Sequence, residues 1–243
     1  MGYFKYQNTK VYYKVKGDKT PLIFLAGNTA SGKMFNAFFK YFKKDFKMIT
    51  VDFPGHGKSD RLTEFPVDFW YENALCVIEL IKHLGLNKVN LIGTSGGALV
   101  ALNVALEAPH LVDKVIADSF EGEKSVEHWA KNVLDYREKD KQNFMTKLFW
   151  RIMHGRDWRK IVDLDTDMIR KHYEQIGDFF HKDLSTLKCD VLLTGSKEDE
   201  YIKDIDKIFE GLNIQKKNVH VFEFGGHPAM ILSGRKNFVK VAM

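Results

Sequence analysis

Cysteine and proline are scarce in these 243 residues, which hold two of the first and five of the second. Cys76 and Cys189 are far apart in the sequence, in segments that read as helix and strand interior, so a disulfide framework is excluded. They read as buried free thiols of a reducing compartment, and the cytoplasm is the expected location. No run of 18 apolar residues occurs, and the opening stretch MGYFKYQNTKVYYK has no apolar centre, so neither a membrane span nor a signal peptide is expected. Low-complexity sequence is also lacking. With 44% apolar and 28% charged residues the composition is that of a globular chain. The net charge of +5 arises from 37 basic and 32 acidic residues, with the lysines scattered and no nucleic-acid module in sight, so a nucleic-acid partner is not expected.

What is present is an alternation of strand-like and helix-like segments, the pattern of a mostly parallel sheet of about eight strands with helices on both faces, an α/β fold. Phe4-Tyr6 and Val11-Val15 read as an opening hairpin. Strands are then predicted at Leu22-Ala26, Met48-Asp52, Val89-Thr94, Lys114-Ala117, Val191-Thr194 and Val219-Phe224. Helices are predicted at Lys33-Lys43, Asp68-Leu84 (stopped by Gly85), Gly97-Glu107, Ile202-Leu212 and Ala229-Val241. Residues 120–181 carry no strand pattern, only charged and aromatic helical stretches. The chain therefore reads as one domain, 1–243, with a helical cap at 120–181 inserted between two strands. Trp129, Phe149, Trp150 and Trp158 are among the cap aromatics suited to pack its helices or to line an apolar pocket.

Chemistry concentrates at strand ends. Gly93-Thr94-Ser95-Gly96-Gly97 falls between a strand and a helix, where a sharp turn exposes a serine hydroxyl and demands small residues on either side of it. A serine needs a base and oxyanion donors to act as a nucleophile. The helix that begins beside Gly96 offers its free N–H groups, so Gly96 is one expected donor. Asn28, leaving the strand Leu22-Ala26, is the other expected donor through its backbone N–H, with Thr29 in reserve; its side chain is alternatively a cap for the next helix.

In α/β folds the partners come from other strand ends at the carboxyl edge of the sheet. The loop after Val191-Thr194 carries Glu198, Asp199 and Glu200; Asp199 is the chosen acid and the two glutamates stay as alternatives. Of nine histidines, only His227 follows a late strand in a glycine-rich loop, so it is the expected base.

These motifs resemble the α/β-hydrolase superfamily over nearly all the chain outside 120–181. Gly93 to Gly97 looks like its nucleophile elbow, Gly195 to Asp199 like its acid loop and Gly226-His227 like its histidine loop. The run Asp52-Phe53-Pro54-Gly55-His56-Gly57-Lys58-Ser59 is similar to a structural turn of the family. One departure stands out: Ala26-Gly27 replaces the His-Gly that many members carry before the oxyanion residue, and that histidine supports the loop.

The resemblance implies a serine hydrolase of small carboxylic esters or thioesters, acting on a partly apolar small molecule with no metal or cofactor. A carbon–carbon bond hydrolase or a menaquinone-pathway-type lyase on the same three residues is the alternative, and a non-catalytic small-molecule receptor is a third reading. A serine at 95 argues against the members with an aspartate nucleophile.

Overall fold

A computed structural model describes residues 1–243, apart from the side chain of Trp129, so the expectation that Trp129 helps to line a pocket lies outside the described residues. The chain opens with a hairpin of β1 (Gly2–Tyr6) and β2 (Thr9–Lys16). Then come β3 (Thr20–Leu25), a 3-10 helix over Gly32–Phe38, α1 (Phe39–Phe42), β4 (Phe46–Val51), α2 (Phe69–His83), β5 (Val89–Thr94) and α3 (Gly96–Glu107). After β6 (Val112–Asp118) the chain leaves the sheet for α4 (Glu127–Asp140), α5 (Phe144–His154) and α6 (Trp158–Gln175). It returns through β7 (Asp190–Ser196), α7 (Ile205–Gly211) and β8 (Lys217–Phe222), and ends in α8 (Ala229–Leu232) and α9 (Arg235–Ala242).

The eight strands form one sheet in the order β1-β2-β4-β3-β5-β6-β7-β8. The pairs β1/β2 and β2/β4 are antiparallel; from β4 onward every pair is parallel. Parallel neighbours need crossovers, and the helices between them cover both faces. Strand periodicity sorts the core accordingly: in β3, Ile23 and Leu25 join the cluster built on α2 and α3, whereas Leu22 and Phe24 join Phe35, Phe38, Phe42 and Phe238 on the opposite face. Helix α3 is buried at every position from Gly96 to Leu106, and its sequence is apolar all round, as a helix packed between α2 and the sheet requires.

Several boundaries differ from the sequence reading. The predicted helix Lys33-Lys43 is mostly 3-10, over Gly32–Phe38, and α-helical only at Phe39–Phe42; within the 3-10 part the buried residues Gly32, Phe35 and Phe38 line up every three positions. Helix α7 starts at Ile205 rather than Ile202 because Asp204 sits in the left-handed region, φ 54°. The final helix is split at Gly234, φ 93°. Strand β8 ends at Phe222, so the loop that follows is two residues longer than expected. Cys189 lies just ahead of β7 rather than inside a strand; both cysteines are buried and free. Among the described residues no helix is long and apolar enough to cross a membrane.

Candidate active site

Strand β5 delivers Ser95 at the carboxyl edge of the sheet. Its backbone is strained, with φ 53° and ψ −130°, and is held there by Ser95 N–H donating to the Asp118 carbonyl at 2.7 Å and Ala98 N–H donating to the Ser95 carbonyl at 2.8 Å. The flanking glycines allow the turn: a Cβ on Gly93 would lie 2.0 Å from the Gly97 carbonyl oxygen, and one on Gly97 would lie 2.2 Å from that of Leu25.

The structure brings Ser95, His227 and Asp199 together from the ends of β5, β8 and β7. Ser95 Oγ lies 2.9 Å from His227 Nε2, and His227 Nδ1 lies 2.8 Å from Asp199 Oδ2. As a carboxylate Asp199 accepts, so Nδ1 carries the proton and the Nε2 lone pair faces the serine hydroxyl. The other Asp199 oxygen accepts the N–H groups of Tyr201 and Ile202, both at 3.0 Å, which locks the carboxylate inward. Burial lowers the His227 pKa, but the hydrogen bond and charge of Asp199, followed by Asp118 and Glu121, outweigh it and raise the value above 6.5.

The glutamates on either side of Asp199 point elsewhere. Glu198 accepts the Gly225 N–H at 3.0 Å and Glu200 accepts the His227 N–H at 2.9 Å, so both brace the histidine loop from outside. Below the loop, Asp118 at the end of β6 accepts from Thr94 Oγ1 (2.7 Å), Thr194 Oγ1 (2.7 Å) and Met230 N (3.0 Å), while Ser119 Oγ accepts from Ala229 N at 2.8 Å. Burial pushes the Asp118 carboxyl up to about 6. Sequence reading missed this buried anchor, because a strand-end Asp-Ser carries no motif.

Asn28 and Gly96 border the same cavity as Ser95. The Asn28 side chain does not cap the next helix: its Oδ1 accepts from Trp70 Nε1 at 3.1 Å and its Nδ2 donates to Asp165 Oδ1 at 2.7 Å. Thr29, at φ 55°, has its hydroxyl held by Trp150 Nε1 (3.0 Å) and Arg137 Nη1 (3.3 Å), and Arg137 in turn pairs with Asp165 at 2.9 Å in a buried ion pair. His154 contacts the Thr29 carbonyl through Nε2 at 2.8 Å and accepts the Gly57 N–H through Nδ1 at 3.1 Å. Burial lowers its pKa to about 4, which keeps it neutral and lets one nitrogen donate while the other accepts.

Asn28 and Thr29 are therefore supported by α2, α4, α5 and α6, where the sequence lacks the family's histidine. The Asp52 turn meets the same region from below: Asp52 accepts from Gly32 N and Lys58 N, both at 2.8 Å. His56, stacked 4.9 Å from Phe65 with its pKa lowered by burial to about 3, packs in this turn, at a remove from the serine.

The cavity above Ser95 holds about 600 Å³. Its wall is mainly apolar, with Trp70, Leu99, Phe149, Trp150, Ile169 and Ile231, while Glu121, Arg137, Asp140 and Tyr201 supply polar groups. Most of this lining comes from elements far apart in sequence, which no local pattern reveals.

Comparison with known proteins agrees with this picture. The family model of the alpha/beta hydrolase fold matches residues 20–153. The chain is 31% identical over 109 residues to an (E)-2-((N-methylformamido)methylene)succinate hydrolase of Acinetobacter baylyi, a stretch covering 44% of this chain and 40% of that protein. It is 26% identical over 203 residues to the human serine hydrolase BPHL, covering 76% of this chain and 64% of the relative. These matches thus span less than two thirds of the relatives' own length. Among solved structures, an esterase from Exiguobacterium antarcticum superposes with a TM-score of 0.80 at 22% identity, covering 100% of this chain and 98% of the other.

Proposed function

The chain belongs to the alpha/beta hydrolase fold family, and from that premise we propose that it is a serine hydrolase cleaving a small carboxylic ester or thioester through an acyl-enzyme on Ser95. The observation that carries the proposal is the unbroken path Ser95 Oγ, His227 Nε2, His227 Nδ1, Asp199 Oδ2, with contacts of 2.9 and 2.8 Å, opening into a mainly apolar cavity.

In this reading His227 takes the Ser95 proton as Oγ attacks the substrate carbonyl, and Asp199 stabilises the imidazolium that forms. The Gly96 and Asn28 N–H groups receive the oxyanion. The imidazolium then protonates the leaving alcohol or thiol, and a water deprotonated by the same histidine releases the acid.

Residues 1–243 act as one domain, with 120–181 as its cap. The cap has two tasks: it roofs the cavity, and through Arg137, Trp150, His154 and Asp165 it fixes the loop that carries Asn28. A cavity of about 600 Å³ suits a small or medium apolar acyl group better than a polymer.

The test is pre-steady-state turnover of p-nitrophenyl esters of increasing acyl length. A burst of nitrophenol equal to the enzyme concentration, lost in Ser95→Ala, is expected. Folded protein that turns over no ester of any length would overturn the proposal.

A further inference from the structure

Helix α5 has two apolar faces, and folding uses only one. Phe149, Trp150 and Met153 face inward, with Trp150 and Met153 buried. On the outside Phe144, Met145, Leu148 and Ile152 remain 73%, 67%, 41% and 52% exposed. Their spacing of i, i+1, i+4 and i+8 places them along one side of the helix. Four large apolar residues left in water on an 11-residue helix are a contiguous patch rather than scattered exposure.

The patch continues to the mouth of the cavity. Met145 and Leu232, the latter 53% exposed, both border the cavity that holds Ser95 and both reach solvent, so each belongs to its rim. Cations follow along both segments, and the carboxylates nearest Leu232, Glu198 and Glu200, are each taken up by an N–H of the histidine loop. Helix α5 carries Lys147 and Arg151 and no acid, and Arg156, Arg159 and Lys160 follow with a single acid, Asp157, which pairs with Arg61. The neighbouring acids Glu138 and Asp163 pair with Lys141, and Asp140 lines the cavity. Beyond Leu232 come the exposed Arg235 and Lys236, in a stretch from Ala229 to Met243 that has no acid at all.

We propose that the outer face of α5, with Leu232, is a docking surface for an anionic lipid bilayer. Charge decides between the possible occupants. A two-fold contact with a second copy would set Lys147 and Arg151 against their own equivalents, with no acid on the helix to offset them. An anionic bilayer gives every element of the face a partner: the apolar side chains enter the acyl boundary and the cations meet phosphate. Docking also points the cavity mouth at the membrane.

Binding is read without turnover, so its outcome is separate from the chemistry proposed at Ser95. The full chain is sedimented with vesicles of phosphatidylcholine alone and of phosphatidylcholine with roughly one third phosphatidylglycerol. Binding to the anionic vesicles, weak binding to the neutral ones and loss with added salt are expected. Lys147→Gln and Arg151→Gln should each weaken it about 5-fold, and Phe144→Ser/Leu148→Ser/Ile152→Ser should abolish it. Hydrolysis of a soluble short-chain ester should stay within about two-fold in these variants, because none of the five side chains borders the cavity. Failure of the folded wild type to sediment with anionic vesicles overturns the proposal, as does unchanged binding by the triple serine variant. A dimer in solution that Leu148→Glu dissociates would also overturn it, and would assign the face to a second copy.

Discussion

Around His227 three negative groups compete with burial, and the negative groups prevail: its pKa lies above the ordinary 6.5. In the proposed reaction His227 must be neutral to accept the Ser95 proton, so kcat/KM should rise with pH through this raised value and fall as pH drops below it. Histidine NMR titration in Ser95→Ala is expected to place His227 above 6.5, and in the further variant Asp199→Asn to move it lower, since the largest stabiliser of the imidazolium is gone. In the Ser95 enzyme, Asp199→Asn should also cost about 10⁴-fold in kcat, through loss of the correct tautomer; activity within ten-fold of wild type would contradict the assigned role. Ser95 and His227 were legible because each sits in a glycine-bearing loop at a strand end, a local signature. Asp199 was less so: Glu198, Asp199 and Glu200 are chemically alike in sequence, and only the turn made by the Tyr201 and Ile202 N–H groups decides which faces inward. Glu121 was invisible, since nothing local marks a cavity-lining carboxyl.

Individual elements are tied together by buried charge. Asp118 joins β5, β7 and α8 through Thr94, Thr194 and Met230, and burial pushes its carboxyl from 3.8 to about 6. The folded state therefore holds this proton more tightly than the unfolded one. The contribution is full below the ordinary value and is lost as pH rises through about 6, a change of roughly 3 kcal/mol. Denaturation across that window should show stability declining with pH, and Asp118→Asn should flatten the curve; an unchanged slope would contradict the assignment. The Arg137–Asp165 pair links α4 and α6 to the Asn28 loop. Asp165→Leu alone leaves a buried cation and should cost about 3–5 kcal/mol, whereas Arg137→Met/Asp165→Leu should restore much of that stability. The double variant should still lose up to about 10²-fold in kcat, with KM little changed, because the loop that presents the Asn28 N–H is released. Recovery of kcat along with stability would remove the positioning role. Strands and long helices were readable from periodicity, whereas the 3-10 segment was not, since Phe35, Phe38, Phe39 and Phe42 fit both helical periods. The bracing of Thr29 by residues 108 and 121 positions away leaves no trace in local sequence.

For the molecule as a whole, the α/β class and the sheet of about eight strands followed from the alternation of elements, while the strand order and the cavity required three dimensions. The missing histidine before Asn28 illustrates the limit: sequence showed a support absent, and the fold supplies another from α2, α4, α5 and α6. That arrangement lets helices from residues 120–181 hold the loop beside Ser95, and the proposed chemistry requires Ser95 to be an activated nucleophile in the intact protein. Intact-protein mass spectrometry after treatment with a fluorophosphonate measures this most directly. One phosphonyl adduct per chain, mapped to Ser95 and abolished in Ser95→Ala and His227→Ala, is the predicted result. A folded wild-type protein that remains unmodified, or an adduct that persists when Ser95 is replaced, would contradict it.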